Sequence, residues 1–144
     1  MAKVVAINIS EAKGEPKHSI DKGYFEIRSG LQGDAHAGDW HRQVSLLGME
    51  SINKVKDAGL IDLENGSFAE NLTTEGIILF ELPIGTTLKI GETLMEVTQI
   101  GKECHQGCAI REKTGDCVMP REGIFTKIIR SGWIKPNDEI EIIK

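Results

Sequence analysis

All three cysteines of this 144-residue chain lie in one short segment, Ile100 to Cys117, which reads IGKECHQGCAIREKTGDC. Cys104 and Cys108 are four positions apart, His105 lies between them, and Cys117 ends the segment. The thiolate, rather than the thiol, is the form of cysteine that acts as a nucleophile and binds metals. The segment therefore predicts a reactive sulfur, a redox pair or a metal-binding site.

Cys104 has the surroundings of a reactive thiolate. A strand-like apolar run ends just before it, and a short helix is predicted from about Cys104 to Lys113. A cysteine at a helix N-terminus is stabilised as the thiolate by unpaired backbone N–H groups and by the helix dipole. Four side chains add positive charge nearby in an otherwise acidic protein: Lys102, His105, Arg111 and Lys113. These features make Cys104 the strongest candidate for a nucleophilic sulfur.

Three other interpretations of the cysteines stay open. A zinc site has Cys104, His105, Cys108 and Cys117 as nominal ligands, but their spacing lacks the paired C-x2-C or H-x3-H pattern of a structural zinc site. A redox pair usually has the C-x-x-C spacing, which is absent here. Burial as a small apolar side chain explains Cys117, beside Val118 and Met119, better than it explains Cys104. Cys108 and Cys117 are therefore secondary thiols in our interpretation, and no metal ligand is assigned.

Two more polar stretches stand out. Residues 30–42, GLQGDAHAGDWHR, carry His36 and Arg42 in a glycine-rich loop. Residues 68–76, FAENLTTEG, place Glu70 and Asn71 before a polar turn. Composition alone favours a solvated loop for the first stretch and a strand end with a turn for the second.

Length and charge set the class of protein. A chain of 144 residues is predicted to form a single domain, residues 1–144, that buries its core without structural metals or disulfides. A net charge of −5 and a pI near 5.4 argue against a nucleic-acid-binding protein, which usually has a basic face. Any anionic ligand must therefore meet a local basic cluster.

The N-terminal sequence MAKVVAINIS lacks the three regions of a signal peptide, and no apolar run is long enough to span a membrane. We therefore expect a soluble cytoplasmic protein that does not act at a membrane. Cytoplasmic thiols stay reduced, and three is a poor number for a disulfide framework. The sequence also lacks the glycine-rich phosphate-binding motifs of nucleotide and dinucleotide folds and the motifs of serine hydrolases and zincins.

The apolar residues indicate which elements position these segments. Short β-branched runs that alternate with polar residues predict strands, and glycine, proline, asparagine and aspartate separate them. Six strands are predicted in this way, at 3–10, 43–47, 86–91, 93–100, 123–130 and 138–144, with a turn at 136–139. One helix is predicted over 48–60, where apolar residues recur at helical spacing and Gly59 can end it. The fold class is therefore mostly β, with a few short helices.

Taken in order, four segments resemble the MOSC domain, named for the C-terminal domain of molybdenum cofactor sulfurases. They are GDAHAGDWHRQVSLL, FAENLTTEGI, LPIGTTLKIGETLMEVTQ and the cysteine segment. The likeness runs from about Ile27 to the C-terminus and is greatest to small stand-alone bacterial members. Counting from EVTQ, the family's usual cysteine is Cys104. Many members have a proline immediately before this cysteine, where this chain has Glu103.

The resemblance implies a barrel-like β fold, of the pyruvate-kinase-barrel type, and a role in metal–sulfur chemistry. The family is thought to carry a sulfur atom on one cysteine, as a persulfide, and to deliver it to a molybdenum centre. Cys104 would then be the catalytic residue of a sulfurtransferase-type carrier. The alternatives are a carrier that binds molybdenum cofactor or molybdate without covalent chemistry, and a cysteine-ligated zinc domain.

The resemblance also implies a cofactor and partners. Molybdopterin has an anionic phosphate, for which the chain offers a set of cofactor-binding candidates: His36, Arg42, Asn71, Lys102, Arg111 and Arg121. A cysteine desulfurase or another sulfur donor would supply the sulfur, and a molybdoenzyme would accept it. Pyridoxal phosphate belongs to the desulfurase domain of fused relatives, and no lysine site for it is evident here.

Overall fold

Short strands make up most of the regular structure. The computed structural model describes residues 2–10, 18–35, 37–40, 43–57, 70–101 and 123–143, and the side chains of 54–57 are not among the described ones. The elements in chain order are β1 (Lys3–Ile9), β2 (His18–Ile20), β3 (Gly23–Glu26), β4 (Gly30–Leu31), β5 (Val44–Gly48), α1 (Met49–Asp57), β6 (Leu72–Glu75), a 3-10 turn (Leu79–Glu81), β7 (Thr87–Ile90), β8 (Thr93–Ile100), β9 (Ile124–Arg130), β10 (Gly132–Ile134) and β11 (Ile140–Ile142).

The strands form one large sheet and one small sheet. The large sheet has eight strands in the order β11-β7-β8-β9-β5-β6-β1-β2, and the small one has the order β10-β3-β4. Neighbouring strands are antiparallel except β5 and β6, which are parallel. Parallel neighbours need a crossover connection, and α1 lies in the connection between these two strands.

The large sheet bends until its two ends approach each other. Lys3 of β1 forms an isolated bridge with Glu139, and Ile140 N–H donates to the carbonyl of Ala2 at 3.0 Å. The eight strands do not close into a complete barrel, because β2 also pairs with β1. The predicted mostly-β fold is therefore confirmed, with a barrel-like curvature that stops short of closure.

One row of apolar residues crosses five strands of the large sheet. Ile100, Ile124, Leu46, Leu72 and Ile7 pair in succession across β8, β9, β5, β6 and β1. All of them except Ile100 are buried members of the main hydrophobic cluster. Side chains on a strand alternate between faces, so the residues next to this row point to the opposite face of the sheet.

That second face is also buried, but it is partly polar. All five residues of β5 are buried, including Ser45 and Leu47 on either side of the core residue Leu46. Asn8 and Asn71 are 0% and 1% exposed. Buried polar groups are expensive unless they form hydrogen bonds, so this face must hold a connected polar network.

The predicted helix and strands are present in the structure, but the polar turn predicted after Asn71 is the strand β6. The helix predicted over 48–60 is α1, the six predicted strands are β1, β5, β7, β8, β9 and β11, and the 136–139 turn is present. Five short strands, β2, β3, β4, β6 and β10, escaped prediction because each has four residues or fewer and little apolar alternation. One of them, β4, includes the first two residues of the predicted loop at 30–42. The helix predicted from Cys104 to Lys113 lies outside the described residues.

The helix α1 has nine residues. Within the described ranges, no helix combines the length and the apolar character that crossing a membrane would require.

Replacing Thr74 with valine is expected to stabilise the protein. Thr74 is fully buried at the end of β6, and within the described part of the chain its hydroxyl has no hydrogen-bond partner. An unsatisfied buried hydroxyl costs about 1–3 kcal/mol, so a methyl group in its place should raise the free energy of unfolding by about 1 kcal/mol. Urea denaturation measures the change. Thr126→Val is the control, because the equally buried Thr126 hydroxyl donates to Met95 Sδ at 3.1 Å. A Thr74→Val protein that is less stable than the wild type would contradict this expectation.

Candidate functional site

The glycine-rich loop leaves the fold and returns to it at one place. Gly30 has a φ of 107°, and a Cβ atom there would lie 2.5 Å from the carbonyl oxygen of Gln43. Only glycine combines this φ with so close a backbone approach. Gly30 and Gln43 thus form a neck that closes loop 31–42.

Loop 31–42 is attached to the end of β1. The Asp34 carboxylate accepts a hydrogen bond from Ser10 N–H at 3.1 Å, and Ala35 N–H donates to the Ser10 carbonyl at 2.8 Å. Asp34 is 7% exposed, so this attachment is shielded from water. The predicted site residues His36 and Arg42 lie outside the described residues.

Asn71 joins three strands of the large sheet. Its Oδ1 accepts hydrogen bonds from Ser45 N–H at 3.0 Å and from Ser45 Oγ at 3.2 Å. Its Nδ2 donates to the carbonyl of Asn8 at 3.3 Å. Asn71 directly precedes β6, Ser45 is in β5 and Asn8 is in β1. The side-chain amide therefore holds these strands in register from a buried position.

A second set of hydrogen bonds extends this network to a carboxylate. Asn8 Nδ2 donates to Thr73 Oγ1 at 2.9 Å, and Thr73 Oγ1 donates to Glu70 Oε2 at 2.8 Å. On the other side of Asn8, Ser19 Oγ donates to Asn8 Oδ1 at 2.8 Å. Glu70 is fully buried. Because a low dielectric strengthens each of these bonds, the network makes this part of the sheet rigid.

The glycine-rich loop and the Glu70–Asn71 pair thus meet on the same strand. The loop is bonded to Ser10, and Asn71 is bonded to Asn8, two residues earlier in the chain. Sequence reasoning missed Asn8 and Ser45. The signal was available for Asn8, because it is a polar residue inside the apolar run VVAINI. Asn71 was identified as a candidate, but its hydrogen bonds to β5 and β1 were not.

The cysteine segment connects two antiparallel neighbours. Gly101 N–H donates to the carbonyl of Gly123 at 2.6 Å, and Ile100 pairs with Ile124. Residues 102–122 therefore form the connection from β8 to β9 in the chain. The predicted residues in this segment lie outside the described ones: Lys102, Cys104, Cys108, Arg111, Cys117 and Arg121.

The strand β9, which follows the cysteine segment, pairs with a residue of the polar network. Phe125, two residues after Gly123, pairs with Ser45 on β5. Ser45 is the residue that donates two hydrogen bonds to Asn71. The strand β9, which follows the cysteine segment, is therefore the direct neighbour of β5, the strand whose Ser45 belongs to the Asn71 network.

The described residues contain no group of three or more histidine, cysteine, aspartate or glutamate side chains that could hold a metal ion. The candidate site is thus built, in its described part, from amide, hydroxyl and carboxylate groups that bond to one another.

Comparison with known proteins gives a family and a fold. A family model described as the MOSC domain matches residues 32–141. The YuaD protein from Bacillus subtilis has a similar structure, with a TM-score of 0.81 and 19% identity over 99% of this chain and 96% of that chain. YiiM from Geobacillus stearothermophilus (TM-score 0.78, 16% identity, 100% of this chain and 76% of that chain) and YiiM from Escherichia coli (0.71, 17%, 100% and 70%) are also similar. At these identities the structural likeness shows the fold alone. Comparison with curated protein sequences gave no match.

Proposed function

Because the chain belongs to the MOSC domain family, whose name refers to molybdenum cofactor sulfurases, its role is related to molybdenum cofactor, and we propose that it carries sulfur on Cys104. In this proposal a cysteine desulfurase or a similar donor loads the sulfur as a persulfide. A molybdoenzyme then receives it at its molybdenum centre.

The register of β5 and β9 carries this proposal. It supports a site in which the connection that holds Cys104 rejoins the sheet at Gly123, two residues before Phe125, the partner of Ser45 in the Asn71 network. The glycine-rich loop is attached to Ser10, two residues after Asn8 of the same network. The described ends of these three segments are therefore linked through neighbouring strands, the loop at the Ile128 end of β9 and the cysteine segment at its Gly123 end. Positive charge in the cysteine segment favours the thiolate of Cys104.

The proposed loading step balances as a thiol exchange. The Cys104 thiolate attacks the terminal sulfur of a donor persulfide, the sulfur–sulfur bond of the donor breaks, and the donor leaves as a thiolate. The terminal sulfur keeps its proton on Cys104. Release as sulfide takes up two electrons, which a second thiol, Cys108 or Cys117, supplies by forming a disulfide with Cys104. The acceptor's molybdenum centre then takes the sulfide.

Molybdopterin is the cofactor implied by the family. Of its six candidate contacts, the structure describes only Asn71, whose amide is buried and bonded to Ser45 and Asn8. This arrangement fits a residue that orders the sheet beneath a ligand better than one that touches the ligand. Sulfur loading on Cys104 therefore does not require a contact between Asn71 and the cofactor.

Loading with a cysteine desulfurase and cysteine is expected to add one sulfur atom to Cys104. Intact-mass and peptide mass spectrometry measure this addition before and after treatment with a reductant, which should remove it. Cys104→Ala should lose the label almost completely, while Cys117→Ala should keep at least half of it, because the nucleophile is unchanged. Equal labelling of Cys104→Ala and the wild type would exclude Cys104 as the carrier.

The two alternatives give different results in the same preparation. If the protein is a non-covalent carrier, the Cys104→Ser variant would bind molybdenum cofactor as well as the wild type does. It would also support the acceptor enzyme without a persulfide. A zinc domain would contain near-stoichiometric zinc, measured by elemental analysis, and would lose it in Cys108→Ser or Cys117→Ser. Either result would replace the sulfur-carrier proposal.

A further inference from the structure

Gln43 lies where the glycine-rich loop rejoins the sheet. It directly follows Arg42, directly precedes β5, and is 3% exposed. A glutamine at the rim of a loop is ordinarily solvated, because its amide needs several hydrogen bonds. Its burial at this position therefore requires a structural reason.

The Gln43 side chain extends β5 along its neighbour. Its Oε1 accepts a hydrogen bond from Ile128 N–H of β9 at 2.8 Å. The last backbone pair between the two strands joins Val44 to Thr126. The glutamine side chain thus supplies the next acceptor along β9, in the place that another strand residue would otherwise occupy.

The backbone of the same residue forms one side of the neck. The Gln43 carbonyl oxygen lies so close to Gly30 that a Cβ atom on Gly30 would be 2.5 Å away. The main chain of Gln43, at the end of loop 31–42, therefore lies against Gly30 at its start. The side chain of Gln43 binds β9 through Ile128. This hydrogen bond joins residues that are 85 positions apart in the chain.

We propose that Gln43 is a positioning residue. It couples the glycine-rich loop to β9, the strand that follows the cysteine segment in the chain. Ile128 lies five residues after Gly123, so the strand β9 connects the loop to the end of the segment that holds Cys104. The second half of this inference rests on the proposed function, whereas the coupling itself does not.

Hydrogen exchange of backbone amides, measured by NMR, tests the coupling. Gln43→Met keeps the length of the side chain but removes the oxygen, and Gln43→Glu keeps an oxygen acceptor. In Gln43→Met we expect the exchange of Ile128 N–H to become about tenfold faster, because one neutral hydrogen bond is worth roughly that factor. The loop amides of Ala35 and Gly38, which bond to Ser10 and Ser29, should also exchange several-fold faster.

Two sets of controls separate positioning from general loosening. The amides of Gly85 and Ile143 bond to Val97 of β8 and Thr87 of β7, which are two and three strands from β5, and they should keep their exchange rates. Gln43→Glu should restore slow exchange at Ile128, Ala35 and Gly38. Faster exchange at Ile128 alone, or equally faster exchange at the control amides, would overturn the coupling.

The rate of persulfide formation on Cys104 tests the functional half. We expect it to fall several-fold in Gln43→Met and to recover in Gln43→Glu. An unchanged rate in Gln43→Met, together with a labelled wild type, would overturn the link between Gln43 and sulfur loading. If the wild type itself is not labelled, the proposed function fails, and the exchange data still decide whether Gln43 couples the loop to β9.

Discussion

Replacing Asn71 with alanine is expected to lower the free energy of unfolding by about 3 kcal/mol or more. The substitution removes the carbonyl that accepts two hydrogen bonds from Ser45 and the amino group that donates to the Asn8 carbonyl. All three residues are buried, so water cannot replace these bonds without opening the sheet. Urea denaturation followed by circular dichroism measures the loss.

Asn53→Ala is the matched control for Asn71→Ala. Asn53 is exposed on α1, where alanine has the higher helix propensity, so this change should be neutral or slightly stabilising. The difference in unfolding free energy between the two variants therefore measures the contribution of the buried network, because both variants lose an asparagine. Similar stabilities for the two variants would mean that the network contributes little to the fold.

Replacing Gly30 with alanine is expected to destabilise the protein by about 3 kcal/mol, from two sources. A φ of 107° is strained for any residue with a Cβ atom, which costs on the order of 1–3 kcal/mol. The new Cβ atom would also lie 2.5 Å from the Gln43 carbonyl oxygen, so the neck of loop 31–42 would have to open. Thermal or urea denaturation measures the total.

Gly85→Ala separates these two sources. Gly85 has a similar φ, 97°, but a Cβ atom there would meet no atom within 4 Å. Gly85→Ala should therefore be destabilised only by backbone strain. The difference in unfolding free energy between the two variants then measures the cost of the contact between the new Cβ atom and Gln43. If Gly30→Ala costs no more than Gly85→Ala, the approach of Gly30 to Gln43 is not a constraint on the loop.

The longer elements could be predicted because their signals are local. Alternation in Thr93–Ile100 and helical spacing in Met49–Asp57 are visible within a few neighbouring residues. In contrast, β6 has the sequence LTTE, in which only one residue is apolar, yet three of its four residues are buried. Its neighbours β5 and β1 bury it, and a pattern within four residues cannot report that burial.

The candidate site was predictable in part for the same reason. The charge around Cys104 and the glycines around His36 are properties of contiguous residues. The roles of Asn8 and Ser45 are not, because their partner Asn71 is more than 25 residues distant from Ser45 and more than 60 from Asn8. Within its own segment each is a polar residue in an apolar run, and nothing in that segment identifies Asn71 as its partner.

The sequence by itself determined the helix and the six longer strands, the positions of the thiols and the positive charge of the residues around Cys104 in an acidic chain. Only the tertiary structure decided that Asn71 bonds to two strands and that Gln43 bonds to Ile128. Local conformation depends on neighbouring side chains and is encoded within short windows. Contacts across a sheet depend on strand order and register, which the whole core selects by burying the row from Ile7 to Ile124.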